Sequence, residues 1–342
     1  PGTIVMKYGD TTIYEKGDNK SLFKVTYKDA KGGTNTTDYG VITGTIEPTD
    51  TNTNYTGAKT FTYEITKTTL SSDNIELTHD DSKNYNNAAL VQYAKDNGLL
   101  AVKLLSGSTA VTLDSDEVTL KDKNTGHVLT SSDFSTSYQY NKSVSTSSSR
   151  AQVTFTGKGN YAGSMTVSFL IAQDISTLKN IPTSFDPLPY KGNGKEVTYA
   201  DGAVVIKNDD SEILTQGEDS SADYTVEYSN NTAIGTATYK IIGNGNVTSK
   251  GCFVGSVEKN FTITKKNLAD DDVVVTINPV DYKEGTSETV LNFDQIEVKY
   301  GEETLQGGAS RDYIIQGYEG NHKCGTAYVT LQGVGDNYTG TK

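Results

Sequence analysis

The chain has 342 residues, of which 34% are hydrophobic, and its 43 acidic and 30 basic residues give a formal net charge of −13. At about 100 residues for each β-sandwich domain, this length allows three or four small domains. The negative charge argues against a nucleic-acid partner. The absence of an apolar run near the ~20 residues of a membrane span argues against membrane insertion.

Three landmarks recur in the same order along the chain. The first is a short alternating strand that ends in lysine, at residues 25–28, 118–121, 204–207 and 296–299. The second is an aspartate followed by an aromatic residue, at Asp38-Tyr39, Asp133-Phe134, Asp223-Tyr224 and Asp312-Tyr313. The third is a glycine- or asparagine-containing turn, followed in the first three copies by an aromatic residue two positions before isoleucine. Such alternation, punctuated by turns, is typical of antiparallel β-sandwiches.

The repeat predicts four immunoglobulin-like modules. They span residues 1–66, which diverge most, and residues 67–172, 173–264 and 265–342. The linkers at 66–70 and 264–268 contain no flexible Gly/Ser tether. We therefore expect an all-β protein, in which tandem β-sandwich modules form an elongated, semi-rigid and monomeric array.

Two of the modules depart from the common pattern. In the second, segment 99–113 predicts an added hairpin, whose apolar residues include Leu99, Leu100, Val102, Leu104 and Leu105. These side chains either cover a seam between modules, which we favour, or present an edge to a partner. The fourth module stops at Lys342, before its aromatic-x-Ile strand. Either the sequence is cut short there, which we favour, or another chain fills the open edge.

The third module carries the pattern most completely. Its residues are Asp223-Tyr224-x-Val226-x-Tyr228, Gly235-Thr236-Ala237, Gly243-x-Gly245-Asn246 and Phe261-x-Ile263. This pattern resembles the tandem Ig-like β-sandwich repeats of secreted and cell-wall-attached surface proteins of Firmicutes, and the resemblance spans most of the chain. It implies an extracellular, Gram-positive cell-surface or secreted protein, in which such arrays form the stalks of adhesins and of carbohydrate-active proteins. The resemblance carries over no catalytic residue.

No set of residues is arranged for catalysis. The three histidines, His79, His127 and His322, fall in polar stretches of different modules, which leaves no catalytic triad and no histidine metal cluster. The two cysteines, Cys252 and Cys324, also lie in different modules, so no disulfide is expected. We therefore expect a protein that is not an enzyme and that requires no cofactor.

Two sets of charged residues suggest two more specific hypotheses. Asp270, Asp271 and Asp272 lie near the start of the fourth module, where clustered carboxylates could bind calcium and stiffen a junction. Their spacing matches no EF-hand loop, so solvated turn residues are the favoured alternative. The recurring lysines are Lys28, Lys121, Lys207 and Lys299. They are candidates for isopeptide cross-links to Asn or Asp, although ordinary strand-edge lysines explain them more simply.

These observations favour a non-enzymatic stalk or adhesin segment that spaces or presents a binding domain at a bacterial surface. A host protein, mucin, a neighbouring surface protein or a glycan is the expected class of partner. The alternative is a carbohydrate-binding array within a secreted carbohydrate-active protein. The chain has 22 tyrosines and no tryptophan, but most of the tyrosines recur between copies, which favours a packing role.

Overall fold

The computed structural model describes residues 4–15, 22–282, 284 and 288–342. The chain divides into two compact units. Unit 1 comprises Pro1–Val102, Thr112–Asn141 and Ala151–Leu170, and unit 2 comprises Lys103–Val111, Lys142–Arg150 and Ile171–Lys342. Both are built from β-strands, which confirms the predicted all-β class. The division into four modules stays a prediction. The predicted boundary at residue 172 lies inside a continuous strand.

The elements are numbered along the chain. The first nine strands are β1 (Val5–Tyr8), β2 (Thr11–Glu15), β3 (Phe23–Lys28), β4 (Gly40–Pro48), β5 (Lys59–Ile65), β6 (Thr68–Thr69), β7 (Ile75–His79), β8 (Val102–Leu104) and β9 (Val118–Asp122). The next nine are β10 (Phe134–Gln139), β11 (Ala151–Gly157), β12 (Tyr161–Ala162), β13 (Ser164–Asp174), β14 (Leu188–Pro189), β15 (Tyr224–Ser229), β16 (Gly235–Gly243), β17 (Phe253–Val254) and β18 (Ser256–Thr264).

The last seven strands are β19 (Lys266–Asn267), β20 (Val273–Ile277), β21 (Ile296–Tyr300), β22 (Glu303–Leu305), β23 (Tyr313–Glu319), β24 (Tyr328–Gly333) and β25 (Tyr338–Thr339). One α-helix, α1 (Ala88–Asp96), follows β7. Three single-turn 3₁₀ helices span Asp81–Lys83, Ile175–Thr177 and Phe293–Gln295.

The larger sheets of unit 1 are antiparallel. Strands β3, β4 and β5 form one sheet in that order, β7 pairs with β9, and β11 lies between β10 and the first part of β13. Along β4 the buried residues are Ile42, Gly44 and Ile46, every second position of the strand. This period of two is what places one face of a strand against a core.

Helix α1 lies outside the predicted pattern. Its N-cap residue Asn87 accepts a hydrogen bond from the Leu90 amide at 3.1 Å. Leu90 and Ala94 are both buried and lie four residues apart, on the same face of the helix. The alanine-rich stretch between two asparagines therefore forms one short amphipathic helix, which packs on the unit 1 core through that face.

The predicted hairpin over 99–113 is wrong, because β8 is the only strand that this segment forms. In unit 1 the Leu100 amide donates to the Ser168 carbonyl at 2.8 Å, and in unit 2 the Leu105 amide donates to the Ala172 carbonyl at 2.7 Å. The segment therefore pairs with β13 and does not fold back on itself. Its apolar density comes from residues that join the core.

In unit 2 the best-defined sheet has the order β14-β18-β16-β15. Strand β16 is antiparallel to both neighbours, with Ala237 opposite Phe261 and Tyr239 opposite Tyr228. Further sheets are β20-β21-β22 and the pair β23-β24. One continuous apolar cluster runs from Ile175 to Tyr338 and includes residues of both the third and the fourth predicted module.

A close backbone approach recurs in three places, at Gly157, Gly243 and Gly333. Each glycine amide donates to the carbonyl of a second glycine, Gly163, Gly255 or Gly340, at 2.8–3.0 Å. A Cβ on the first glycine would lie 2.6–2.7 Å from backbone atoms of the returning strand. The second glycine has φ between +71° and +75°, a conformation that favours glycine. The first glycine is therefore needed because a Cβ would collide with the returning strand, and the second because its backbone has a positive φ.

This contact predicts a matched pair of variants. In Gly243→Ala the new methyl would meet the Phe253 carbonyl carbon at 2.6 Å, and since that atom is backbone the strand must shift. We expect the free energy of unfolding to fall by about 1–3 kcal/mol, as for other overpacked sites. The measurement is urea denaturation followed by circular dichroism.

Gly317→Ala is the control, because a Cβ at Gly317 would meet nothing within 4 Å and its φ is not in the left-handed region. It should change stability by less than about 0.5 kcal/mol. Equal stability losses in the two variants would contradict the close-approach explanation.

Candidate functional site

The recurring aspartates are structural groups in the last three predicted modules. Each accepts a hydrogen bond from a backbone amide earlier in its own module. The pairs are Asp133 with Thr130 at 2.9 Å, Asp223 with Thr215 at 2.7 Å and Asp312 with Gln306 at 2.7 Å. Asp223 is 1% exposed, and its carboxylate also accepts from the Thr248 hydroxyl and lies 3.6 Å from the Lys250 ammonium. Such saturated carboxylates hold loops in place.

In the first predicted module the equivalent pair has a different role within unit 1. The Asp38 carboxylate accepts from the Asn160 side-chain amide at 2.9 Å, and the Tyr39 amide donates to the Asn160 side-chain oxygen at 2.9 Å. The Lys67 ammonium lies 4.0 Å from the centroid of the Tyr39 ring. These contacts tie the first predicted module to the glycine turn of the second, because Asn160 belongs to that turn.

Three recurring tyrosines form hydrogen bonds to the backbone through their hydroxyl groups. The hydroxyl groups of Tyr138, Tyr228 and Tyr318 occupy equivalent positions, where each bonds to a backbone group of a preceding loop. The loop residues are Leu113, Tyr199 and Leu291, at 2.8–3.2 Å. The repetition of these tyrosines therefore reflects their role in fixing loops.

Two further tyrosines bind carboxylates, of which Asp122 is buried and Glu303 is half-buried. The Tyr161 hydroxyl donates to Asp122 at 3.3 Å, and the Tyr338 hydroxyl donates to Glu303 at 2.9 Å. Burial, followed by the negative charge of Asp122, raises the pKa of Tyr161 to about 12. Burial and the neighbouring Glu303 raise the pKa of Tyr338 in the same direction. Both phenols therefore stay protonated at neutral pH and act as hydrogen-bond donors.

A common joint opens each of the last three predicted modules. The first residues of each module form a short parallel pair with the strand that follows that module's glycine turn: β6 with β12, the end of β13 with β17, and β19 with β25. In each pair an amide donates at 2.9 Å across the joint, from Thr68, Gln173 and Lys266. The chain is therefore fixed by backbone hydrogen bonds where it enters each module.

The joint between the third and fourth predicted modules also contains side chains. The rings of Tyr190 and Tyr338 meet edge to face with centroids 6.2 Å apart. The Glu303 carboxylate accepts from the Asn193 amide at 3.1 Å as well as from Tyr338. Tyr190 and Tyr338 are 6% and 1% exposed. The two rings are thus buried in this joint, which lies within unit 2.

The acidic run at 270–272 surrounds a cation that the protein itself supplies. The Lys266 side chain is 5% exposed, and its ammonium lies 2.8 Å from Asp270 and 2.7 Å from Asp272. The ammonium also lies 4.7 Å from the centroid of the Tyr300 ring. Asp271 is exposed. Two of the three calcium candidates are therefore partners of a buried lysine, a contact that sequence spacing alone did not indicate.

The four isopeptide candidates lie at the protein surface or at its margin. Lys28, Lys121 and Lys299 are exposed, and Lys207 is half-buried. The Lys299 ammonium lies 2.7 Å from the Glu297 carboxylate on the same exposed strand face. The isopeptide hypothesis stays a prediction, and among the described residues the deeply buried lysine is Lys266.

The structure buries one of the histidines that lie in polar stretches of the sequence. The His79 side chain is only 3% exposed and lies 3.8 Å from the buried Glu117 carboxylate. It is the last residue of β7, whose alternation turns this side chain inward. His127, by contrast, is half exposed, bonds to Asp133 at 3.2 Å and stacks on Tyr161.

The five residues predicted to contact a partner are either buried or half-buried. Val102 is fully buried and Leu105 is 9% exposed, so these two do not present a surface to a partner. Leu99, Leu100 and Leu104 are half-buried. The pairing of β8 with β13 occupies one backbone edge of this segment, and contact of its half-buried leucines with a partner stays a prediction.

An exposed apolar groove lies instead beside β24, in the fourth predicted module. Its volume is about 540 Å³, and its walls are residues 277–280, Tyr282, Thr289, Leu291, Tyr318, Asn321 and residues 323–329. Tyr282 and Tyr328 line it and are 47% and 67% exposed. We call this feature the β24 groove. Cys324, also in its wall, is exposed and carries a free thiol.

None of the helices in the described ranges has the length and apolar character that a membrane span requires. No protein-family model matches the chain, and a search of curated proteins finds no match. Among solved structures there is a similarity to a chain described as "Protocadherin gammaB7 EC3-6 cis-dimer structure". It has 10% sequence identity and a TM-score of 0.18, and it covers 100% of this chain and 94% of that one. At this TM-score the similarity carries no argument about function.

The Lys266 cluster predicts a pH-dependent stability difference. Burial lowers the pKa of the Lys266 ammonium, but its hydrogen bonds to Asp270 and Asp272 outweigh burial and hold the pKa above the ordinary 10.5. The pair therefore stabilises the fold below pH 10.5, and this stability is lost as the pH rises through the higher folded-state pKa. In the double variant Asp270→Asn with Asp272→Asn, no carboxylate offsets the effect of burial on the Lys266 pKa. The ammonium should then destabilise the fold at neutral pH, and this penalty should disappear as the pH approaches 10.5.

The stability difference between wild type and the double variant should thus be largest near pH 8 and shrink towards pH 11. Urea denaturation at several pH values measures it. Asp271→Asn is the matched control, since Asp271 is exposed and should leave the profile unchanged. A difference that does not vary with pH would exclude the Lys266 explanation.

Proposed function

We propose that this chain is a non-enzymatic spacer segment of an extracellular bacterial surface protein, a stalk or adhesin that holds a binding domain away from the surface. Its loops are the regions proposed to contact host proteins or mucin. The sequence pattern of the third module supports the bacterial, cell-surface assignment. The way in which the repeated residues are used supports the spacer role.

One observation carries the proposal: the third and fourth predicted modules share a single apolar cluster across their joint. Tyr190, Leu268 and Tyr338 belong to that cluster and are all at most 6% exposed. A hinge between independent domains is polar and wetted, whereas a shared core must be opened before the modules can bend. A spacer that transmits position or force requires such stiffness.

The repeated residues support a non-catalytic role for a second reason. The aspartates accept backbone hydrogen bonds, the tyrosine hydroxyl groups fix loops, and the glycines permit close backbone contact. Tyr318 is the one of these groups that lines the β24 groove, and there its hydroxyl is bonded to the Leu291 backbone. No Asp or Glu of the described residues lines that groove with it, as hydrolysis by paired acids would require. The features that recur in the sequence are therefore explained by folding.

Spin-label distance measurements test the stiffness of the joint. One label is placed on Cys324 and the other on Thr262→Cys, an exposed position on β18. Cys252 stays unlabelled because it is buried, and burial raises the pKa of its thiol to about 12. We expect one narrow distance distribution across the joint.

Tyr190→Ala removes one ring from the joint and should broaden that distribution, whereas Tyr140→Ala should not, since Tyr140 is 65% exposed. Circular dichroism of each variant confirms that the strands are retained. A broad distribution in the otherwise unaltered chain would exclude a stiff joint and with it the spacer proposal.

A carbohydrate-binding array is the second candidate, and the β24 groove is the observation that favours it. Tyr282 and Tyr328 are exposed and line the same groove, and exposed aromatic rings are the usual platform for sugar rings. The other recurring tyrosines are occupied by the contacts described above.

A glycan array distinguishes the two functions. A spacer should bind no glycan, and Tyr328→Ala should therefore leave the array unchanged. A carbohydrate-binding protein should retain particular oligosaccharides and lose them in Tyr328→Ala, but not in Tyr140→Ala. Binding that shows this dependence on Tyr328 would replace the spacer function with the second candidate.

A further inference from the structure

Four strands hold the same place in the four predicted modules, each at the edge of its sheet. They are β3, β10, β15 and β23, which pair with β4, β11, β16 and β24. In the last three modules the registers coincide, with an aromatic residue opposite the close-approach glycine: Phe134 opposite Gly157, Tyr224 opposite Gly243 and Tyr313 opposite Gly333. The edge strands of these modules can therefore be compared position by position.

The free edge of β10 presents the backbone groups of every second residue. The Lys158 amide donates to the Asp133 carbonyl at 2.8 Å, so the backbone of Asp133 faces the β11 side. Because alternate residues of an antiparallel strand direct their backbone groups to the same side, those of Phe134, Thr136 and Tyr138 face away from β11. Among the described strands β10 pairs with β11 alone.

In the third and fourth predicted modules a loop occupies the start of this edge. The amide and carbonyl of Tyr224 bond to residues 215–217, at 3.3 Å and 3.0 Å. Those of Tyr313 bond to residues 306–308, at 3.4 Å and 2.8 Å. No described residue makes such bonds to the backbone of Phe134, the equivalent position of β10. The second module therefore leaves open an edge that the next two modules partly cover.

Charge and irregularity protect the other three edge strands. Strand β3 carries Lys24 and Lys28, β15 carries Glu227, and a bulge between Ile315 and Gly317 interrupts the pairing of β23. Charged residues and bulges are features with which proteins block edge-to-edge pairing. Strand β10 has no charged residue and no proline, and its register with β11 is regular. Of these four described strands, β10 alone lacks such protection.

The exposed face beside this edge is also uncharged. Across β10, β11 and β13 it carries three cross-strand rows, Ser135-Thr156-Ser164, Ser137-Thr154-Thr166 and Gln139-Gln152-Ser168. In the third predicted module the row equivalent to the second of these is Glu227-Lys240-Glu258. Although the chain has a net charge of −13, two copies can thus approach at β10 without bringing like charges on this face together.

We propose that two copies of this chain associate through β10, side by side and antiparallel, about a two-fold axis at Thr136. Phe134 then lies opposite Tyr138 of the second copy, an aromatic pair of the kind that stabilises neighbouring strands. On the other face Ser135 lies opposite Ser137 of the second copy. The three residues of each copy that face this edge exchange about six backbone hydrogen bonds.

Two features favour a second copy over an unrelated strand. The sequence of residues 134–138, Phe-Ser-Thr-Ser-Tyr, reads almost the same in both directions, so the strand matches its own reverse, as a two-fold interface requires. The edge also lies between the first and third predicted modules, so it is open irrespective of where the chain begins or ends. This association is an addition to the spacer role, and it departs from the monomeric array expected from the sequence.

Sedimentation velocity of the whole chain over a range of concentrations tests the proposal. The weight-average mass should rise towards twice that of one chain as the concentration increases. In Thr136→Lys two like charges would lie opposite each other at the axis, so the dissociation constant should increase by about 10-fold or more. Thr166→Lys is the matched control. It adds the same charge at another exposed threonine of the same sheet, two strands away, and should leave the association unchanged.

A cysteine at the axis locates the contact. Opposite residues of a hydrogen-bonded antiparallel pair have Cα atoms about 5.5 Å apart, a distance that a disulfide spans. Thr136→Cys in a Cys324→Ser background should therefore form a covalent dimer on mild oxidation, seen by non-reducing electrophoresis. Thr166→Cys in the same background should form none. Cys252 is buried and does not compete. Circular dichroism confirms that each variant retains its strands.

Three results would overturn the proposal. The first is a chain that stays monomeric up to a concentration of about 1 mM. The second is an association that Thr136→Lys weakens no more than Thr166→Lys does. The third is a Thr166→Cys variant that forms the covalent dimer as readily as Thr136→Cys, which would place the contact elsewhere on the sheet.

Discussion

The structure depends on one backbone contact, made where each of the last three predicted modules begins. There the first residues of the module pair in parallel with the strand that follows the glycine turn, and the turn brings two backbones too close for a Cβ. The contact fixes where the chain enters a module and how it leaves the turn. The tyrosine that follows the turn, Tyr161 or Tyr338, then becomes buried and donates to an internal carboxylate.

Many charged residues also have structural roles. The recurring aspartates accept backbone amides, and the acids at 270 and 272 neutralise Lys266. A buried ammonium without partners would be costly, since burial removes it from water, whereas two carboxylates at its margin offset that cost. Some of the acidic residues that give the chain its charge of −13 therefore have structural roles, and others contribute to the negative charge of the surface.

Function is best sought where the modules differ. The third predicted module is closed by β18, whereas the fourth presents the same walls as an open groove with exposed Ala327, Tyr282 and Tyr328. The two modules thus share the same strand and loop contacts and differ in how far the groove residues are exposed.

The sequence by itself determined the β class and the recurring landmarks, because strand alternation and glycine turns are local patterns in the chain. It also indicated that the repeated tyrosines pack, as Tyr138, Tyr228 and Tyr318 do. Only the tertiary structure decided which residues lie inside. The apolar run near Val102 joins the core because β8 pairs with β13, His79 turns inward at the end of β7, and Lys266 meets its acids. Those outcomes depend on strand pairing between distant segments, which local periodicity does not encode.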